Sequence, residues 1–222
     1  MKKRFLYIIL VPIIIISFLF MPSKTNANAS KLRIGYVESE AFDLYSSQLA
    51  WMAKALQEKN ILRAYEVDIN EPNSKVIWDK ICDNCISPNY EFVKDMYYNI
   101  KNMSETDIQK IYNDQRVDLV LVMGTVAGLG FTKNETKNKF MVLGAANPVG
   151  SGIVAGENDR GKSNTYAHID RNRYKRQLQA GYKIVPFKKV GVVYEDSAPA
   201  YSYSGIAQLE EASKELNFVI ST

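Results

Sequence analysis

Residues 117–127 read VDLVLVMGTVA. From Leu119 to Met123 the run is unbroken in apolar residues, with Asp118 at its entrance. A strand covered on one face alternates between apolar and polar. A continuous run of this kind is expected of a central parallel strand buried on both faces. Gly124-Thr125 interrupts it, and Val126 to Lys133 continues as a helix. Strand, tight turn and helix make the repeating unit of open α/β sheets.

The flanking segments repeat the alternation. Upstream, Leu32 to Val37 is a short strand, Leu44 to Glu58 an amphipathic helix, and Ala64 to Ile69 a second strand stopped by polar residues 70–74. Ser104-Glu105-Thr106-Asp107 is a capping signal for a helix to Asn113. Downstream, Phe140 to Leu143 is a strand and Arg171 to Ile184 a helix. Val190 to Tyr194, Tyr203 to Leu216 and Phe218 to Ile220 make a strand, helix and strand. The fold class is therefore α/β with parallel sheets. The unit that opens at Pro186 is too small to cover both faces of a sheet of its own, so the chain reads as truncated.

Composition narrows the class. The 222 residues are 46% hydrophobic and 23% charged, with two Cys and one His, which suits a globular chain and not a disulfide scaffold. Residues 1–29 read as a secretory signal. Lys2-Lys3-Arg4 precedes an apolar stretch from Phe5 to Phe20, and Ala27-Asn28-Ala29 offers small residues for cleavage between Ala29 and Ser30. Uncleaved, the same segment would be a membrane anchor and the chain's single tie to a membrane. The net charge of +4 arises wholly from Lys2, Lys3, Arg4 and Lys24; without them the chain is neutral. A protein that reads nucleic-acid phosphates through a basic face is disfavoured.

Three chemical motifs fail on context. Gly156 to Ser163, GENDRGKS, fits the phosphate-loop spacing, but residues 164–170 read as turn and strand, not as the apolar helix such a loop opens. Cys82-Asp83-Asn84-Cys85 lacks further ligands for zinc, since His168 is the sole histidine. In an oxidising compartment the pair reads as a local Cys82–Cys85 disulfide. No Ser/His/Asp set can be built on His168. Neither a cofactor motif nor a metal site is retained, and the chain reads as a non-enzyme.

Four segments in order resemble one family, the extracytoplasmic solute-binding proteins of ABC transporters with the type I periplasmic-binding fold. The branch is the one that includes tryptophan and tyrosine binders. The segments are KLRIGYV (31–37), VDLVLVMGTVA (117–127), FMVLGAANPVGSGIV (140–154) and IVPFKKVGVVY (184–194). The resemblance implies a parallel-sheet sandwich of two lobes, the first complete and the second partial. The expected layout is a signal at 1–29, an N-terminal lobe at 30–155, a crossover and linking helix at 156–185, and the start of a second lobe at 186–222. It implies a periplasmic protein that closes on a small solute, such as an amino acid, and delivers it to a membrane permease. A ligand-sensing domain on an anchored signalling protein is the alternative. A thiol oxidoreductase using Cys82 and Cys85 is a third reading.

Ligands of open parallel sheets sit outside the carboxyl ends of the strands. Candidate contacts are therefore Glu38 and Ser39 after the first strand, with Glu38 facing an ammonium group. Thr125, Val126 and Ala127 offer a hydroxyl and free N–H groups at a helix start, which suit a carboxylate. Asn147 follows the next strand, and Glu195 and Asp196 follow the strand of the second lobe. Tyr36, Phe42, Tyr45, Tyr166, Tyr201 and Tyr203 are candidates to stack on an aromatic solute.

Overall fold

Five parallel strands in the order β2-β1-β3-β4-β5 form the main sheet of the computed structural model. The structure describes residues 30–132, 136–156, 158, 161–170, 172–197, 200–201 and 204–221, of which those from Lys31 onward belong to one unit. The strands are β1 (Leu32–Glu38), β2 (Tyr90–Asn99), β3 (Leu119–Met123), β4 (Lys139–Leu143) and β5 (Thr165–Ala167). Helices α1 (Asp43–Glu58) and α2 (Ser74–Asn84) precede β2, α3 (Glu105–Tyr112) precedes β3, and α4 (Thr125–Thr132) precedes β4. Then come α5 (Arg173–Ile184), β6 (Lys189–Gly191), α6 (Ile206–Leu216) and β7 (Val219–Ser221), with β6 and β7 paired in parallel as a second sheet.

The central strand buries both faces, as its composition predicts. Val120 and Val122 join a core with Ile111, Tyr112, Ala127, Phe131 and Phe140, under α3 and α4. Leu121 and Met123 join the opposite core with Leu49, Ala53, Ile77, Trp78 and Ile81, under α1 and α2. Trp78 is fully buried and packs on Tyr36 and Phe92, with ring centroids 5.5 and 5.8 Å away. At the far ends of the strands, Arg33 and Asp118 pair through two side-chain hydrogen bonds, of 2.8 and 3.1 Å.

Two sequence expectations are corrected. Residues 64–69 are not a strand. Leu62 makes an isolated antiparallel bridge with Cys85, and the carbonyls of Arg63 and Tyr65 accept instead from the Gln57 side chain. The second strand is β2, whose register against β1 slips: Ile34 pairs with Phe92 and Tyr36 with Tyr97. Five residue steps on β2 thus span two on β1, a bulge in the edge strand. The main sheet also takes β5 from residues 165–167, inside the stretch expected to be crossover. Among the described residues no helix is long and apolar enough to cross a membrane. The expected signal, Ala29 included, lies outside the described residues, and Ser30 is exposed.

Candidate functional site

With this strand order the chain leaves β1 and β3 in opposite directions, and a crevice opens between their carboxyl ends. A cleft of about 460 Å3 lies there, lined by Ser39, Glu40, Phe42, Leu44, Tyr45, Thr125, Val126, Gly144, Ala146, Arg173 and Tyr174. Ser39, Thr125 and Val126 come together as the sequence suggests, and Phe42 and Tyr45 form an edge-to-face pair at 5.2 Å on one wall.

The turn from β3 into α4 is built around Ser39. Its Oγ donates to the Met123 carbonyl at 3.1 Å and accepts the Ala127 N–H at 2.9 Å. Ala127 is therefore no free donor: a side chain from the turn after β1 caps the helix. Gly124 turns the chain at φ +93°, where a Cβ would overlap Tyr45 Oη and stand 2.6 Å from Ser39 Oγ. Thr125 is buried and its Oγ1 accepts the Ala146 N–H at 3.3 Å, which ties α4 to the loop after β4. Val126, at the start of α4, is left exposed at the mouth, and its N–H has no acceptor among the described residues.

Arg173, at the start of α5, brings the one cationic side chain among the lining residues. Its guanidinium lies 5.7 Å from the Tyr174 ring. Burial raises the Tyr45 phenol above its ordinary value, while a hydrogen bond with Ser39 and the charge of Arg173 act the other way. The sequence reading missed Arg173, Tyr174 and Glu40. The visible signal was an Arg at a helix start, but only the fold shows that this helix returns beside the first sheet.

Glu38 is not a ligand contact. It is fully buried, and each carboxylate oxygen accepts two donors. Oε2 takes Tyr36 Oη at 3.0 Å and Ser74 Oγ at 2.6 Å; Oε1 takes Tyr97 Oη at 2.7 Å and Asn99 Nδ2 at 3.1 Å. Such a carboxylate has no capacity left for a solute ammonium. Burial and the Glu38 charge push both phenols, Tyr36 and Tyr97, well above the ordinary tyrosine range. Tyr36 is a core ring stacked on Tyr97 at 5.4 Å.

The remaining candidates scatter. Asn147 accepts the Gly150 N–H at 2.9 Å as a turn cap, and lines a neighbouring hollow of about 320 Å3 with Asp170, Gln208 and Glu211. Glu195 and Asp196 are exposed; Asp196 lines a separate hollow with Val192, Val193 and Tyr194. Tyr166 is exposed on β5 beside Met141, away from the cleft. Tyr201 packs edge-on to Tyr194 at 6.1 Å, and Tyr203 lies outside the described residues.

Cys82 and Cys85 are separate thiols, not the expected disulfide. Cys82 is in the last turn of α2, while the Cys85 thiol turns to the Tyr90 carbonyl at 3.4 Å. Burial pushes the Cys82 thiol up to about 12, opposite to the shift a redox nucleophile needs. Within GENDRGKS, Lys162 Nζ donates to the Thr132 carbonyl at the end of α4, while Glu157, Asp159 and Arg160 lie outside the described residues. Among the described residues no group of three or more His, Cys, Asp or Glu could hold a metal.

The chain is thus an open parallel α/β sheet with a donor-lined cleft across its strand ends. Solved structures narrow this to one fold. A conserved domain protein from Vibrio cholerae shares it with a TM-score of 0.57 at 14% identity, over 86% of this chain and 56% of that one. The ABC domain in complex with L-Trp from Streptococcus pneumonia matches with 0.56 at 15% identity, over 87% and 57%. The ligand-free, open substrate binding protein with adhesive properties from Clostridium difficile matches with 0.51 at 17% identity, over 86% and 56%. The fold is thus similar to that of ABC substrate-binding proteins, and the chain spans a little over half the length of these solved chains. No family model and no curated protein matches the sequence.

Proposed function

We propose that the chain is the solute-binding component of an ABC importer, working outside the cytoplasm, where it captures a small carboxylate-bearing solute and hands it to a membrane permease. The observation that carries this reading is the cleft itself. The exposed start of α4, with the Val126 N–H and the helix dipole, lines it together with the Arg173 guanidinium. The aromatic residues Phe42, Tyr45 and Tyr174 complete its wall and would hold the body of the solute. The fold shared with an L-Trp-bound ABC domain supports the same reading. Capture needs no bond-making chemistry: a ligand that binds one arrangement of the cleft better than another shifts the population toward it.

The test is a thermal melt of residues 30–222 against a panel of amino acids and small carboxylates. A solute at 100 times its dissociation constant adds about 2.7 kcal/mol and raises the midpoint by roughly 5–10 °C. One solute class should do so, and Arg173→Ala should cancel the shift. A panel that leaves the midpoint unmoved, or a shift indifferent to Arg173→Ala, would count against this site.

A further inference from the structure

Helix α4 is capped from a distance. An N-cap side chain normally belongs to the residue just before the helix and folds back over its first amides. Here that residue is Gly124, which has no side chain to offer and no room for one beside Tyr45 Oη and Ser39 Oγ. The cap comes instead from Ser39, 88 positions away in the chain. Ser39 is buried and lines the cleft. Its backbone N–H and its hydroxyl both donate to the Met123 carbonyl, at 3.0 and 3.1 Å, so the hydroxyl proton is spent. What the oxygen gives α4 is a lone pair, and the Ala127 N–H takes it at 2.9 Å.

The capping leaves a restricted set of donors. In the first turn of α4 the Ala127 amide is held by Ser39, while those of Thr125 and Val126 have no acceptor among the described residues. A helix start with all its first amides free is a cradle for the tetrahedral oxygens of phosphate or sulfate. Two amides and a planar guanidinium suit the two coplanar oxygens of a carboxylate. An anionic oxygen brought over Ala127 would meet the Ser39 oxygen, which has no proton left to give.

We propose that Ser39 is a specificity-determining residue of the cleft: by occupying the Ala127 amide, it selects a carboxylate over a phosphate or sulfate group. The inference rests on the carboxylate reading of the cleft and adds the residue that sets the choice of anion. Amide NMR spectra of nitrogen-labelled residues 30–222, titrated with acetate and with inorganic phosphate, test it. The titrations are run at about pH 6, where both anions carry close to one charge.

In the wild-type chain, acetate should move the Val126 amide and leave Ala127 in place. It should bind about fivefold more tightly than phosphate, the worth of one hydrogen bond. Ser39→Ala removes one oxygen, and a cooperative melt checks that the fold survives. That variant should reverse the preference, with the Ala127 amide now moving as phosphate is added. Ser39→Asp, a cap with a negative charge of its own, should keep Ala127 held and weaken both anions about tenfold. Acetate that binds at Val126 with no preference over phosphate would overturn the role of Ser39 and leave the cleft standing. So would a Ser39→Ala chain that keeps the wild-type preference. Titrations in which neither anion moves an amide of α4 would overturn the carboxylate reading as well.

Discussion

Glu38 shows how one residue's role turns on its neighbours. At the end of β1 it looks like a ligand group, yet it joins three segments: Tyr36 on its own strand, Ser74 at the start of α2, and Tyr97 and Asn99 on β2. Truncation would strand four buried or half-buried donors. Glu38→Ala is expected to cost about 3–5 kcal/mol, read as a lower urea midpoint. A loss below 1 kcal/mol would mean that water replaces the carboxylate without penalty. Ser39, one residue on, was legible as a strand-end polar residue. Its actual partners, the Met123 carbonyl and the Ala127 N–H, were not, because they lie more than eighty positions away in the chain.

At the scale of elements, β3 and α4 were the most legible parts. A five-residue apolar run with β-branched residues and no alternation reads as a strand covered on both faces, and the glycine after it marks the turn. Gly124 is the tightest point of that turn. Gly124→Ala is expected to destabilise by about 1–3 kcal/mol, because φ is positive and the methyl group meets Tyr45 and Ser39. A thermal melt checks this; an unchanged midpoint would show that the tyrosine ring can move aside freely. The strand expected at 64–69 misled for a physical reason. Its alternation matches a half-buried strand, but β2 takes the place beside β1 and residues 64–69 pair with no strand of the sheet. A strand is a property of its partner as much as of its own residues.

For the whole molecule, acid stability follows from its ion pairs. Asp118 beside Arg33, Asp114 beside Arg116, Asp107 beside Lys110 and Asp170 beside Arg176 are all held below the ordinary carboxylate range. A folded value below the unfolded one of about 3.9 gives stability that is present above that pH and is lost as pH falls through the folded values. The melting midpoint should therefore hold level from pH 7 to about 5 and fall steadily below about 4. These pairs are solvent-screened, so the decline should be shallow and should flatten further in high salt. A midpoint that rises on acidification would contradict the assignment.

The sequence alone determined the class of the fold and the strand ends at which a site was expected. Apolar runs, caps and glycines are local signals, and open parallel sheets place ligands at strand ends whatever the ligand is. Ser39, Thr125 and Val126, expected there from the sequence, lie together along the cleft. Only the tertiary structure decided which polar groups are available there. Glu38 and the Ala127 N–H are consumed by long-range partners, and Arg173 arrives from a helix that begins 48 positions after Thr125. Likewise the need for glycine at 144 arises only because Tyr45 and Gln48 of α1 pack against that backbone. Availability and adjacency depend on which distant segments pack together, and residue type and spacing do not carry that information.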